Sequence, residues 1–146
     1  MQQDTGITAV AHAIQLAVAP VFLLSGVAAM LAVLTNRLAR VIDRSRALDT
    51  QLHTSPPPAT AGIDAQLQAL SRRAQLISRA ITLCTITALL VCAVIAALFV
   101  GAFARFDASV PVALLFVAAM VALFVGLLSF LREIFIATAN LRIGPH

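Results

Sequence analysis

Three long apolar runs alternate with polar segments along this chain. They cover residues 7–35, 81–104 and 110–131, and none of them contains an Asp, Glu, Lys or Arg residue. Each run is at least as long as the roughly 20 residues that an α-helix needs to cross the hydrocarbon layer of a bilayer. The pattern therefore predicts an all-α membrane protein in which one domain, residues 1–146, contains three transmembrane helices.

The segment between the first two runs, residues 36–80, keeps a helical pattern on both sides of a proline-rich stretch. Residues 53–62 read His-Thr-Ser-Pro-Pro-Pro-Ala-Thr-Ala-Gly, a composition that interrupts helices. Beyond this stretch, apolar residues recur at alternating spacings of four and three, which is typical of a paired helix. These residues are Ile63, Leu67, Leu70, Ala74, Ile77 and Ile81. The pattern predicts that helices one and two extend into a helical hairpin with its turn at 53–62.

The ends of the third helix also carry signals. Ser109 or Asp107 is the expected N-cap, and Pro111 suits the first turn of the helix. The helix is expected to end before Gly144 and Pro145, because neither residue favours its continuation.

Arginine is concentrated in the predicted hairpin. Residues 36–80 contain seven of the ten basic residues of the chain and only three acidic residues. Because positively charged short loops stay in the cytoplasm, the hairpin and the carboxyl terminus are expected inside and the amino terminus outside. The first run lacks the basic leader of a cleavable signal peptide, so it is interpreted as an uncleaved anchor.

The remaining composition argues against several functional classes. The sequence shows no nucleophile–base pair, paired carboxylates, phosphate-binding loop or zinc motif, so enzymatic activity, a cofactor and a metal site are not expected. The net charge of +4 comes from arginines near the ends of the predicted spans, where they can bind anionic lipid head groups. Nucleic acid is therefore not an expected partner.

Helix two carries small residues at every fourth position. Small residues allow close backbone approach, which drives association in lipid, where there is no hydrophobic force between helices. The row predicts a packing seam, either within one subunit or between subunits, and its cysteines are expected to be small buried packing residues. Its members are Ala80, Cys84, Ala88, Cys92 and Ala96.

Helix one carries a second seam, at heptad spacing. Its members are Gln15, Ala19, Phe22, Gly26, Ala29, Val33, Asn36 and Arg40. Polar residues in a span tend to face water or a partner. One interpretation is a pore lining formed by several copies, with Gln15, Phe22, Gly26, Val33 and Asn36 as lining or gate residues. The other is a packing seam in which Gln15 and Asn36 form hydrogen bonds between helices.

Several charged residues are expected at the cytoplasmic membrane edge. They could bind lipid phosphates or form a charged ring at the inner mouth of a pore. The arginines of this group are Arg37, Arg40, Arg72, Arg73, Arg79 and Arg132. Glu133, the only glutamate, is expected to pair with Arg37 or Arg79, because an unpaired carboxylate there is costly.

Several runs of residues resemble a known family. Residues 13–16 and 19–26, the Asn-Arg-Leu-Ala-Arg sequence within 34–44, the Leu-Arg-Glu-Ile-Phe sequence within 130–138, and 141–144 are similar to a bacterial membrane family catalogued as domain of unknown function 2721. The resemblance covers nearly the whole chain. It implies a multi-pass protein of the bacterial inner, or cytoplasmic, membrane, and it supplies no reaction, ligand or catalytic residue.

Three helices cannot enclose a transport path by themselves, so a small membrane protein gains one by assembling copies around an axis. We therefore expect a homo-oligomeric ion channel or pore, with helix one or helix two lining the axis. Its expected partners are membrane lipids, further copies of the chain and inorganic ions. The alternative is a non-conducting membrane scaffold or regulatory subunit whose cytoplasmic hairpin binds a partner protein or anionic lipid.

Overall fold

The computed structural model describes residues 2–141, and the side chains of 3–139, as three long helices with two short connections. Helix α1 spans Gln2–Thr54, α2 spans Pro57–Ala104 and α3 spans Ser109–Leu141. Each helix is long and apolar enough to cross a membrane, and residues 2–141 contain no strand. The predicted all-α class with three candidate membrane spans is confirmed.

Helix α1 is much longer than its apolar run. It begins at Gln2 rather than near Ile7, and its 53 residues correspond to about 80 Å along the helix axis. The hydrocarbon layer is only about 30 Å thick. The helix therefore continues without interruption from the apolar run into the arginine-rich segment. Helix α3 is described as far as Leu141, and Gly144 and Pro145, before which it is expected to end, lie outside the described residues.

The connection between α1 and α2 is shorter than predicted. Only Ser55 and Pro56 are non-helical, so the expected turn at residues 53–62 is wrong in its extent. The first backbone N–H groups of a helix have no intrahelical partner, so Pro57 and Pro58 lose nothing by starting α2. The Ala59 N–H then donates to the Pro56 carbonyl at 3.1 Å. The prolines thus begin the second helix instead of extending the break.

The connection between α2 and α3 is a capped turn. Arg105 has a φ of 50°, and the Phe106 N–H donates to the Gly101 carbonyl at 3.2 Å, which is the pattern that closes a helix with a left-handed residue. The carboxylate of Asp107 accepts a hydrogen bond from the Ser109 N–H at 3.1 Å. Asp107 therefore supplies the capping side chain of α3, as the sequence suggested.

Hydrogen bonding lowers the pKa of Asp107 below its ordinary value of 3.8, first through the Ser109 side chain and then through its backbone. The ionised carboxylate is the form that caps α3. Because the folded pKa is lowered, the contribution to stability is complete above about pH 4 and is lost as the pH falls through the folded value.

Two compact units can be distinguished, and the first comprises Met1–Leu31 with Leu83–Phe124. Its buried side chains are mostly small, which allows close helix packing. They include Ala13, Ala17, Val27, Cys84, Val91, Val94 and Ala119. The buried Thr87 hydroxyl donates to the Leu83 carbonyl at 2.9 Å and lies 3.4 Å from the Ala119 carbonyl, so this polar group has acceptors.

The second unit comprises Ala32–Thr82 with Val125–His146. Its buried apolar side chains are larger, apart from Ala80: Leu34, Val41, Leu48, Leu70 and Ile77. The seam predicted for the start of α2 is confirmed, because all six of its residues are buried or half-buried. Among the described residues of this unit, the charged side chain of Glu133 is fully buried.

Replacing Gly101 by alanine is expected to destabilise the protein by about 1 kcal/mol, through overpacking of the α2–α3 turn. A Cβ atom at this position would lie 3.0 Å from Ala108 Cβ and 3.3 Å from the Phe106 carbonyl oxygen. Gly62→Ala is the matched control, since a Cβ there meets nothing within 4 Å. Thermal unfolding in detergent measures both variants, and equal melting temperatures for the two would contradict the close contact.

Candidate functional site

An ion cluster joins the three helices in the second unit. Glu133 of α3 lies between Arg37 of α1 and Arg73 of α2, and its side chain is 0% exposed. Nε and Nη2 of Arg73 donate to Oε1 of the carboxylate at 3.2 and 3.0 Å. Nη2 of Arg37 lies 3.0 Å from Oε2. The Glu133 carboxylate therefore contacts one arginine from each of the other two helices.

The two arginines contact Glu133 in different ways. Both contacts from Arg73 are hydrogen bonds, whereas Arg37 forms an ion pair whose angle is not that of a hydrogen bond. Oε2 therefore has no hydrogen-bond donor within the described residues. The Arg37 guanidinium lies 5.3 Å from the centroid of the Phe130 ring, which is a favourable cation–π distance. Arg37 is thus held by electrostatic attraction and by the ring.

The charge balance of the cluster leaves one positive charge. Removing a carboxylate from water costs several kcal/mol, and nearby guanidinium groups offset that cost. Here two guanidinium groups surround a single carboxylate. The side chains of Arg37 and Arg73 are 35% and 23% exposed, so both remain accessible while Glu133 is not. The cluster therefore presents positive charge at its surface.

The sequence identified part of this cluster. Arg37 was one of the two arginines expected beside Glu133, but the second partner is Arg73, and Arg79 is exposed. Arg73 lies four and seven residues before the buried Ile77 and Ala80, which places it on the same face of α2. Arg79 lies on another face. In the sequence, the spacing of each arginine from the buried residues of α2 distinguishes Arg73 from Arg79.

The other predicted charged residues remain at the surface. Arg40 and Arg132 are exposed, as is Arg79. None of the ion pairs among the described residues includes them.

Helix α1 carries two faces with the same repeat. The buried face has spacings of four and three, and its members include Ala13, Ala17, Pro20, Val27, Leu34, Val41 and Leu48. The predicted seam is displaced from this face by two residues, or about 200° around the helix. We call the seam the second α1 face: Gln15, Ala19, Phe22, Gly26, Ala29, Val33, Asn36 and Arg40, all exposed.

No contact within the chain explains the composition of the second α1 face. Phe22 is 74% exposed and Val33 50% exposed. A Cβ atom at Gly26 would meet nothing within 4 Å, so packing in the chain does not require glycine there. The side chains of Gln15 and Asn36 have no hydrogen-bond partner among the described residues. The structure leaves this face available to lipid, water or another molecule.

The small-residue row of α2 does not form one buried seam. Ala80 and Cys84 are buried, Ala88 is half-buried, and Cys92 and Ala96 are exposed. A row with a four-residue period rotates by about 40° at each step, so it cannot stay on one face of a straight helix. The buried residues of α2 instead alternate spacings of three and four: Ile77, Ala80, Cys84, Thr87, Val91 and Val94. The expectation that both cysteines are buried is wrong for Cys92.

The first unit contains an open cavity of about 690 Å³. Its lining is mostly apolar and includes Leu16, Pro20 and Phe116, with His12 and Asp107 among the few polar residues. Such a lining suits apolar groups.

These features define a multi-pass α-helical membrane protein with a buried ion cluster. The chain belongs to the family described as protein of unknown function (DUF2721), whose match covers residues 17–143. This confirms the family suggested by the sequence resemblance. No curated protein and no solved structure matches the chain.

Arg73→Met is expected to destabilise the protein by about 2–3 kcal/mol, because it leaves the buried Glu133 with one cationic partner. This loss of stability is smaller than that expected for a fully buried pair, because the Arg73 side chain is 23% exposed. Arg72→Met removes the same charge from an exposed neighbouring position and is expected to change stability by less than about 0.5 kcal/mol.

Unfolding in detergent compares the two variants, and adding Glu133→Gln to Arg73→Met should restore part of the loss, since it removes the buried charge. Equal effects of Arg73→Met and Arg72→Met would contradict a stabilising role for the cluster.

Proposed function

We propose that this protein is a homo-oligomer whose copies of α1 surround a common axis and form an ion-conducting pore lined by the second α1 face. The observation that carries the proposal is the exposure of this face, opposite the face that packs within the chain. Of the two helices that could line the axis, α1 fits better than α2, because the small-residue row of α2 turns around the helix and does not stay on one surface.

The polar residues of the second α1 face support this arrangement. Gln15 and Asn36 are separated by about 32 Å along the helix, which matches the thickness of the hydrocarbon layer. At this separation the two polar side chains lie at opposite edges of the hydrocarbon layer. Around a shared axis they would mark the two mouths of the pore, where they face water or each other.

The middle of the face suits close approach between copies. Glycine in a helix interior costs about 1 kcal/mol relative to alanine, and no contact within the chain requires Gly26. Another copy packed against Ala19, Gly26 and Ala29 would use the space that these small residues leave. Phe22 and Val33 would then act as apolar constrictions of the pore.

The distribution of charge supports an orientation in the bilayer. Residues 32–82 and 125–139 contain eight arginines and four acidic residues, whereas residues 2–31 and 83–124 contain one arginine and two acidic residues. By the positive-inside rule, this distribution supports an orientation with the hairpin and the carboxyl terminus in the cytoplasm and the amino terminus outside. We propose the bacterial cytoplasmic membrane as the location and conduction rather than catalysis as the role. The basic inner surface favours anions, and a cation pore whose arginines hold lipid is the alternative.

Purified protein in liposomes is expected to pass ions under an applied voltage, above the leak of empty vesicles. Phe22→Ala should raise the flux severalfold, because it removes a bulky apolar constriction. Phe124→Ala is the matched control, since Phe124 is 63% exposed but lies on α3, and it should leave the flux unchanged.

Flux no greater than that of empty vesicles, across several cations and anions, would contradict the pore. If the particle is nevertheless an oligomer, that result favours the alternative of a scaffold or regulatory subunit. In that case the exposed arginines of the hairpin, among them Arg40, Arg44 and Arg46, would provide its binding surface for a partner protein or anionic lipid.

A further inference from the structure

We propose that Arg37 and Arg73 bind the phosphate group of one anionic membrane lipid for each protein chain, and that Glu133 positions the two guanidinium groups for it. The proposal rests on the geometry of the ion cluster in the second unit. It requires neither an oligomer nor conduction, so it goes beyond the proposed pore.

Charge balance identifies the occupant. Two guanidinium groups and one carboxylate leave a single positive charge, and a phosphodiester carries a single negative charge. At the membrane edge an uncompensated charge is costly, because it lies beside a medium of low dielectric constant. A lipid phosphate would complete a neutral group of four ions. Basic pockets between transmembrane helices recognise lipid head groups in this way.

The donors required for a phosphate are present and accessible. A guanidinium group has five N–H donors. Arg73 directs two of its donor nitrogens at Oε1 of Glu133, and the ion pair of Arg37 lacks hydrogen-bond geometry, so both groups keep donors for a further acceptor. The side chains are 35% and 23% exposed, whereas the carboxylate is 0% exposed. A ligand from outside would therefore meet the cationic groups and not the acid.

Glu133 also gives the site its rigidity. Long arginine side chains lose rotamer entropy when they are fixed, and this loss normally weakens phosphate binding. Here the hydrogen bonds from Arg73 and the placement of Arg37 near Phe130 already restrict both side chains. The arginines are therefore arranged before a ligand arrives, which lowers the cost of binding.

The position along the helices favours a lipid over a free phosphate. Arg37 lies two residues beyond the apolar run that ends at Thr35, and Glu133 lies two residues beyond Leu131, the end of the third run. Lipid phosphates occupy the layer that borders the hydrocarbon, at this depth. Phe130, whose ring lies under Arg37, belongs to the apolar run itself.

The test uses the full-length protein in detergent, with phosphatidylglycerol and phosphatidylcholine as probes and native mass spectrometry as the readout. Wild-type protein is expected to retain one phosphatidylglycerol per chain in preference to phosphatidylcholine. Arg37→Gln should weaken this retention about tenfold, which corresponds to the loss of one charge-assisted contact. Arg72→Gln removes an exposed arginine next to Arg73 and should retain the lipid like wild type.

Three results would overturn the proposal. Equal retention of the two lipids by wild-type protein would show that the negative charge of the head group does not determine binding. This comparison does not depend on the folding of any variant. If Arg37→Gln and Arg72→Gln weaken the retention of phosphatidylglycerol equally, any arginine of the hairpin is sufficient to bind the lipid. Displacement of the lipid by an equal concentration of inorganic phosphate would show that the site takes free phosphate and not a lipid.

Discussion

A helix that crosses a bilayer satisfies its backbone internally, so its side chains alone decide what covers each of its faces. Helix α1 has two distinct faces, because two heptad series of residues lie about 200° apart around it. One series is buried within the chain through residues such as Val27 and Leu34. The other is exposed, although it includes Gln15, Gly26 and Asn36. The proposed assembly rests on this division, because further copies of the chain would cover the second series.

The ion cluster determines how α1 is held at its basic end. Arg37 follows directly after Asn36, so the contacts of Arg37 with Glu133 and Phe130 restrict rotation of this part of α1 about its own axis. The second α1 face is therefore presented in one orientation there. A lipid phosphate bound to Arg37 and Arg73 would strengthen the same restriction, and it would link the composition of the membrane to the geometry of the proposed pore at its inner end.

Much of the fold could be predicted from the sequence, because uncharged runs of this length have few alternatives to spanning helices. The errors have local causes. The proline stretch was expected to break the chain over residues 53–62, but Pro57 and Pro58 occupy positions where a helix needs no backbone donor. Cys92 was expected to be buried, but a four-residue period rotates around the helix. Arg73 could have been identified from its heptad relation to Ile77, whereas its hydrogen bonds to Glu133 depend on how α2 and α3 meet, which the sequence pattern does not specify.

Cysteine cross-linking between copies of α1 in native membranes tests the central claim most directly. In a background of Cys84→Ala and Cys92→Ala, single cysteines are introduced at Gly26 on the second α1 face and at Val121, which is 57% exposed on α3. Mild oxidation is expected to produce disulfide-linked dimers with cysteine at position 26 and not at position 121. No dimer at position 26, or an equal yield at both positions, would contradict the assembly of copies through α1.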